Sequence, residues 1–161
     1  MSILVLGLGN TIMTDDGFGV EVVTTLSSRY HFHGPVQLLD GGTLGLDLLP
    51  HLEGVESLLI IDALDMRDEP GKIFRIEGDE VPRAFASKLS VHQMGLQDLL
   101  AVAELQGHVP RNLVVWGVQP ECIEMGTELT ATVATAVEPV VTSVLKELQG
   151  WGVRYEVRGA K

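Results

Sequence analysis

Apolar residues fall along this chain in two alternating rhythms. Short apolar-rich runs (Ile3 to Leu6, Val36 to Leu39, Leu58-Leu59-Ile60-Ile61 within Ser57 to Asp62, Leu113 to Val118) have the length of strands, and the unbroken Ile3 to Leu6 that of one buried on both faces. Between them lie segments with helical spacing. From Gly17 to Arg29 the apolar positions are Phe18, Val22, Val23 and Leu26, and from Gln93 to Gln106 they are Met94, Leu96, Leu99, Leu100, Val102 and Leu105, with Gly107 placed to end the helix. Leu44 to Leu52 reads as a short helix cut or bent at Pro50. Thr130 caps a long helix running to Gln149, which Pro139 should kink or break.

The pattern predicts an α/β three-layer sandwich, a mostly parallel five-stranded sheet with helices on both faces, in a single domain over residues 1–161. One strand should run against the rest. Only about ten residues separate Asp62 from the strand-like Lys72 to Ile76, too few for a parallel crossover, so that strand is predicted antiparallel. His31 and His33 flank Phe32 ahead of Gly34-Pro35 and read as an exposed turn. The tail from Gly150 gives no clear pattern, though Trp151 and Tyr155 suit the cover of a sheet edge or a partner surface.

Ligands of such sheets bind beyond the carboxyl ends of the strands. Those ends carry Asn10, Asp15 and Asp16 after the first strand, Asp40 after the second, Asp62 after the third, and Gln119 and Glu121 after the fifth. Asp15 and Asp16 fit a helix N-cap and a first-turn acid, and Asp40 before Gly41-Gly42 fits an Asx-type turn. Asp62 differs, because an acid ending an apolar central strand needs a partner when buried. His92, just ahead of the predicted helix at Gln93, can reach the same edge. Two carboxylates and an imidazole on separate elements would give a borderline divalent cation, zinc or nickel, three ligands and leave positions open.

Composition narrows the chemistry. The 161 residues are 45% hydrophobic but only 5% aromatic, and the formal net charge is -11. That charge repels phosphate backbones and anionic lipid, so nucleic acid and membrane surfaces are not expected partners. Met1-Ser2 leads into the first strand without a signal-like segment, and no apolar run approaches the ~18 residues of a spanning helix, which points to a cytoplasmic protein. Cys122 is the one cysteine, read as a partly buried, inert thiol, so any metal must be held by oxygen and imidazole. Gly7-Leu8-Gly9 invites a dinucleotide reading, but Ile12 stands at the third glycine position and Asp15 and Asp16 lie where a pyrophosphate needs positive potential. P-loop, HExxH and GxSxG motifs are absent, and no organic cofactor is expected.

The string Gly7-Leu8-Gly9-Asn10-Thr11-Ile12-Met13-Thr14-Asp15-Asp16-Gly17-Phe18-Gly19 resembles the N-terminal signature of the nickel-iron hydrogenase maturation endopeptidases. The likeness continues through Asp40-Gly41-Gly42-Thr43, Ile61-Asp62-Ala63, Ser90-Val91-His92-Gln93 and Gly117-Val118-Gln119-Pro120-Glu121, in family order. It implies that Asp16, Asp62 and His92 are the metal ligands and catalytic residues, with Asp40 and Asn10 in support. It further implies removal of a short C-terminal peptide from the precursor of the hydrogenase large subunit; the free protein is expected to be a monomer. The nickel would be supplied by the substrate. Two alternatives stay open: an aspartic-type peptidase in which Asp16 and Asp62 share a proton without a metal, and a checkpoint protein that docks on the nickel centre without cutting.

Overall fold

A computed structural model describes residues 2–42, 45–81, 107 and 110–159. Thr43, His92 with its flanking Ser90-Val91-Gln93, and the helix predicted from Gln93 to Gln106 lie outside them. The described elements are strands β1 (Ile3–Leu8), β2 (Tyr30–His33), β3 (Val36–Gly42), β4 (Ser57–Ala63), β5 (Ile73–Glu77), β6 (Asn112–Val118) and β7 (Arg154–Val157). With them run helices α1 (Phe18–Arg29), α2 (Leu49–Leu52), α3 (Ala131–Ala134) and α4 (Val137–Gly150).

The main sheet has five strands in the order β3-β1-β4-β6-β5, all parallel except β5, which pairs antiparallel with β6. The reversal follows from chain length, since β5 begins too soon after β4 for a crossover. β4 is buried at every position, as its unbroken apolar run requires of a central strand. Alternation along the strands sorts the core into two layers. Ile3 and Val5 of β1 and Leu59 and Ile61 of β4 pack with Phe18, Val22 and Leu26 of α1 and Val140, Val144 and Leu148 of α4. Leu4, Leu6, Leu58 and Ile60 face the other way, onto Leu48 and Leu52 around α2.

Helix α1 lies unusually close to the sheet. A Cβ on Gly19 would stand 2.0 Å from the carbonyl oxygen of Ile61 and 2.5 Å from that of Leu8, so only glycine lets the helix start directly over β1 and β4. The residues just ahead of that start are thereby pressed onto the carboxyl ends of the same two strands.

Three expectations need correction. His31 and His33 are not in a turn: Tyr30–His33 is a strand, paired antiparallel with Arg154–Val157 in a separate two-stranded sheet. The tail supplies the partner strand, and Trp151 and Tyr155 are partly buried against the core. Tyr30 and Phe32 turn inward and Tyr155 stacks edge-on against Tyr30 at 5.3 Å, while His31 and His33 face solvent. The helix predicted from Thr130 divides at Thr135 and Ala136, ahead of Pro139, which occupies the first turn of α4. Proline is tolerated there because its missing N–H has no intrahelical acceptor, whereas four residues deeper it would clash with a carbonyl. Asp40 lies within β3 and not in an Asx turn; the register with β1 slips just beyond it, Gly7 facing Asp40 and Leu8 facing Gly42.

Candidate functional site

Asp62 ends the fully buried β4 and is itself 1% exposed, with Oδ1 accepting the N–H of Ala63 at 2.8 Å. Asp16 belongs to a 3-10 turn, Thr14–Gly17, between β1 and α1. It is half-buried, and its Oδ2 accepts the N–H of Asn10 at 2.9 Å. β1 and β4 are adjacent parallel strands, so the two acids leave the same end of the sheet side by side.

Gly9 is the point where they meet. Its φ is +122°, and a Cβ there would fall 1.8 Å from the carbonyl oxygen of Asp16 and 3.3 Å from Oδ1 of Asp62. The backbone carrying Asp16 and the carboxylate of Asp62 thus close on one residue that must lack a side chain. The family motif runs through this glycine, but residue type alone does not reveal the contact.

Neither acid before α1 acts as its cap: the N-cap is Gly17, which makes no side-chain bond. Asp15 instead reaches across the site. Fully buried, it takes the N–H groups of Glu121 and Cys122 on Oδ2, both at 2.9 Å, and that of Thr130 on Oδ1 at 2.8 Å. The Thr130 hydroxyl lies within 3.1 Å of both oxygens. Backbone bonds complete the seam, from Asp15 N–H to Cys122, from Thr14 N–H to Gly126 and from Gly126 N–H to Ile12. The loop after β6 is therefore stitched to the loop that presents Asp16.

A second buried polar side chain organises the segment after Asp62. Gln119, 6% exposed, accepts the N–H groups of Met66 and Asp68 on Oε1 and donates from Nε2 to Asp65 at 3.0 Å. That bond, with a weaker one from the N–H of Arg67, holds the Asp65 carboxyl below its ordinary pKa. Asn10 supports the turn locally: its Oδ1 accepts the N–H of Ile12. Asp40 stands exposed at the neighbouring strand end, Glu121 is exposed, and Cys122 is a half-buried free thiol.

The structure thus brings the backbone of Asp16 and the carboxylate of Asp62 onto Gly9, with Asn10 bonded to Asp16, and His92 lies outside the described residues. Among the described residues no three acids, histidines or cysteines converge to hold a metal ion. What is described is two acids at the carboxyl ends of adjacent strands, Asp62 buried and Asp16 half-buried. Such a pair can ligate a borderline cation or hold a water.

Comparison with known proteins decides the class. The model of the hydrogenase maturation protease family matches residues 20–147. The chain belongs to that family. It is 40% identical over 154 residues to the hydrogenase 2 maturation protease of Escherichia coli K12, covering 95% of this chain and 94% of that one. The hydrogenase expression/formation protein HupD of Rhodobacter capsulatus is 40% identical over 153 residues, 94% of this chain and 73% of its own. Among solved structures, the hydrogenase maturating endopeptidase HybD of E. coli superposes with a TM-score of 0.93 at 40% identity over 98% of both chains. This family member is accordingly a peptidase, with the fold predicted from its sequence, and none of its described helices is long and apolar enough to cross a membrane.

Proposed function

We propose that this hydrogenase maturation protease removes a short C-terminal peptide from the nickel-loaded precursor of a [NiFe] hydrogenase large subunit, with Asp16, Asp62 and His92 engaging nickel that belongs to the substrate. The observation that carries the reading is the meeting of Asp16 and Asp62 at Gly9, at the ends of adjacent strands. Two carboxylates suit a borderline cation but leave its coordination incomplete, which fits a metal delivered with the substrate better than one retained. His92 is the third ligand implied by the resemblance.

The chemistry required is addition of water across one peptide bond: the carbonyl carbon gains the hydroxyl and the leaving nitrogen gains the proton. A metal next to the scissile carbonyl polarises it or acidifies a water. The carboxylate not committed to the metal would accept the water's proton. Asp16, being half-open, suits that exchange, while Asp62 is anchored by Ala63 and suits a fixed ligand.

The test is to mix the protein with nickel-loaded and with nickel-free precursor and weigh the products. Loss of a C-terminal peptide from the loaded form alone is expected. Equal cleavage without nickel, with Asp62→Asn inactive and His92→Ala tolerated, would replace this reading with a carboxylate-pair peptidase. A stable complex with loaded precursor of unchanged mass would replace it with a docking role.

A further inference from the structure

Five large apolar side chains are exposed among the described residues, and four of them, Ile12, Met66, Ile123 and Met125, lie in loops at the strand ends that carry Asp16 and Asp62. The fifth, Val157, sits on β7, which pairs with the strand that leaves the far end of α1. Ile12 is 54% exposed, Ile123 58% and Met125 84%. Solvated apolar residues scattered singly mean nothing, but a concentration beside the proposed site marks a contact surface.

Their exposure is built into the loops. Ile123 and Met125 lie between Cys122, fixed by the buried Asp15, and Gly126, whose N–H donates to the carbonyl of Ile12 and whose carbonyl accepts the N–H of Thr14. The hydroxyl of Thr14 also donates to the carbonyl of Glu124. Ile12, Ile123 and Met125 therefore ride on two strapped loops, held outward before any partner arrives. A surface held in its binding conformation loses less entropy on association. Exposed Glu124 and Glu128 border it, so its complement is an apolar patch edged with lysine or arginine.

We propose that Ile12, Ile123 and Met125 form the docking platform for the folded body of the precursor, apart from the scissile segment that enters the crevice. The occupant is the protein substrate, because Ile12 rides on the loop that presents Asp16, the loop of Ile123 and Met125 is bonded to that loop through Gly126, and the platform is thereby continuous with the proposed site. The inference rests on the hydrogenase-precursor reading above.

The test compares the unsubstituted protein with an Ile123→Ser/Met125→Ser double variant and with Val157→Ser on nickel-loaded precursor, measuring Kd by calorimetry and KM and kcat by product mass. The double variant should raise Kd and KM at least about tenfold, the apolar contact being lost, with kcat changed less than about twofold. Val157→Ser should change nothing, and all three should melt alike since the residues are exposed. Unchanged Kd and KM in the double variant, or an equal rise in Val157→Ser, would overturn the platform. If the unsubstituted protein binds the precursor without cutting it, and the double variant binds more weakly, the peptidase reading falls and the platform stands. Absence of any binding by the unsubstituted protein overturns both.

Discussion

The carboxylate of Asp15 takes two bonds from Thr130, one from its N–H at 2.8 Å and one from its hydroxyl, which in turn accepts the N–H of Val133 at the start of α3. With Glu121 and Cys122 on its other oxygen, Asp15 joins three parts of the chain at full burial: the turn bearing Asp16, the loop after β6 and the cap of α3. Each of its oxygens faces a backbone donor, so no amide can replace it. Either orientation of an asparagine would set an NH2 against an N–H.

Asp15→Asn should therefore destabilise the protein by about 3 kcal/mol although it is nearly isosteric, and Asp15→Ala by at least as much, since buried donors are left unpaired. Urea denaturation measures it. A loss below about 1 kcal/mol in Asp15→Asn would show that the seam does not depend on this carboxylate.

Gly9→Ala tests the geometry of the pair itself. The new methyl would overlap the Asp16 carbonyl oxygen at 1.8 Å, on a backbone whose φ of +122° already disfavours any side chain. The turn must move, taking Asp16 away from Asp62. Displacement of about 1 Å at a reacting centre costs roughly a hundredfold in rate, so kcat on loaded precursor should fall by about that factor even in protein that remains folded by circular dichroism. Wild-type kcat in folded Gly9→Ala would refute the role given to this glycine.

How far the site could be read from sequence depended on how local each signal was. Asp62 could be located because an acid ending an apolar strand is visible in a few residues, and the antiparallel β5 because a short connection forbids a crossover. Asp16 could be distinguished from a helix cap only by the motif around it. The work of Asp15 could not be read at all, since its partners Glu121, Cys122 and Thr130 lie more than a hundred positions away. The β2–β7 sheet was missed for a different reason. Its strands are four residues each, and the turn signal of Gly34-Pro35 obscured a genuine alternation, with Tyr30 and Phe32 inward and His31 and His33 outward. Pro139 marked a helix break correctly but not its position, because proline prefers the first turn of the helix that follows.

The loop that follows Asp62 offers a pH test. Gln119 fixes that loop by accepting from Met66 and Asp68 and donating to Asp65, and this last bond is the leading cause of the lowered Asp65 pKa. A carboxyl whose folded-state pKa is depressed contributes stability above its unfolded pKa and loses it as pH falls through the folded value. Gln119→Leu removes both functions: the acceptor, which matters at every pH, and the donor, whose bond is strongest while Asp65 is charged. The variant should thus melt lower than the parent at neutral pH, and the gap should narrow, without closing, as pH drops below about 4, where unperturbed carboxyls titrate. Because Asp65 is solvent-screened, the narrowing should be small compared with the constant part. Asp65→Asn should melt with a flatter acid limb than the parent, and in the Asp65→Asn background Gln119→Leu should lower the melting temperature by an amount independent of pH. A gap between Gln119→Leu and the parent that holds constant to about pH 3 would show that Gln119 supports the loop without acting on Asp65.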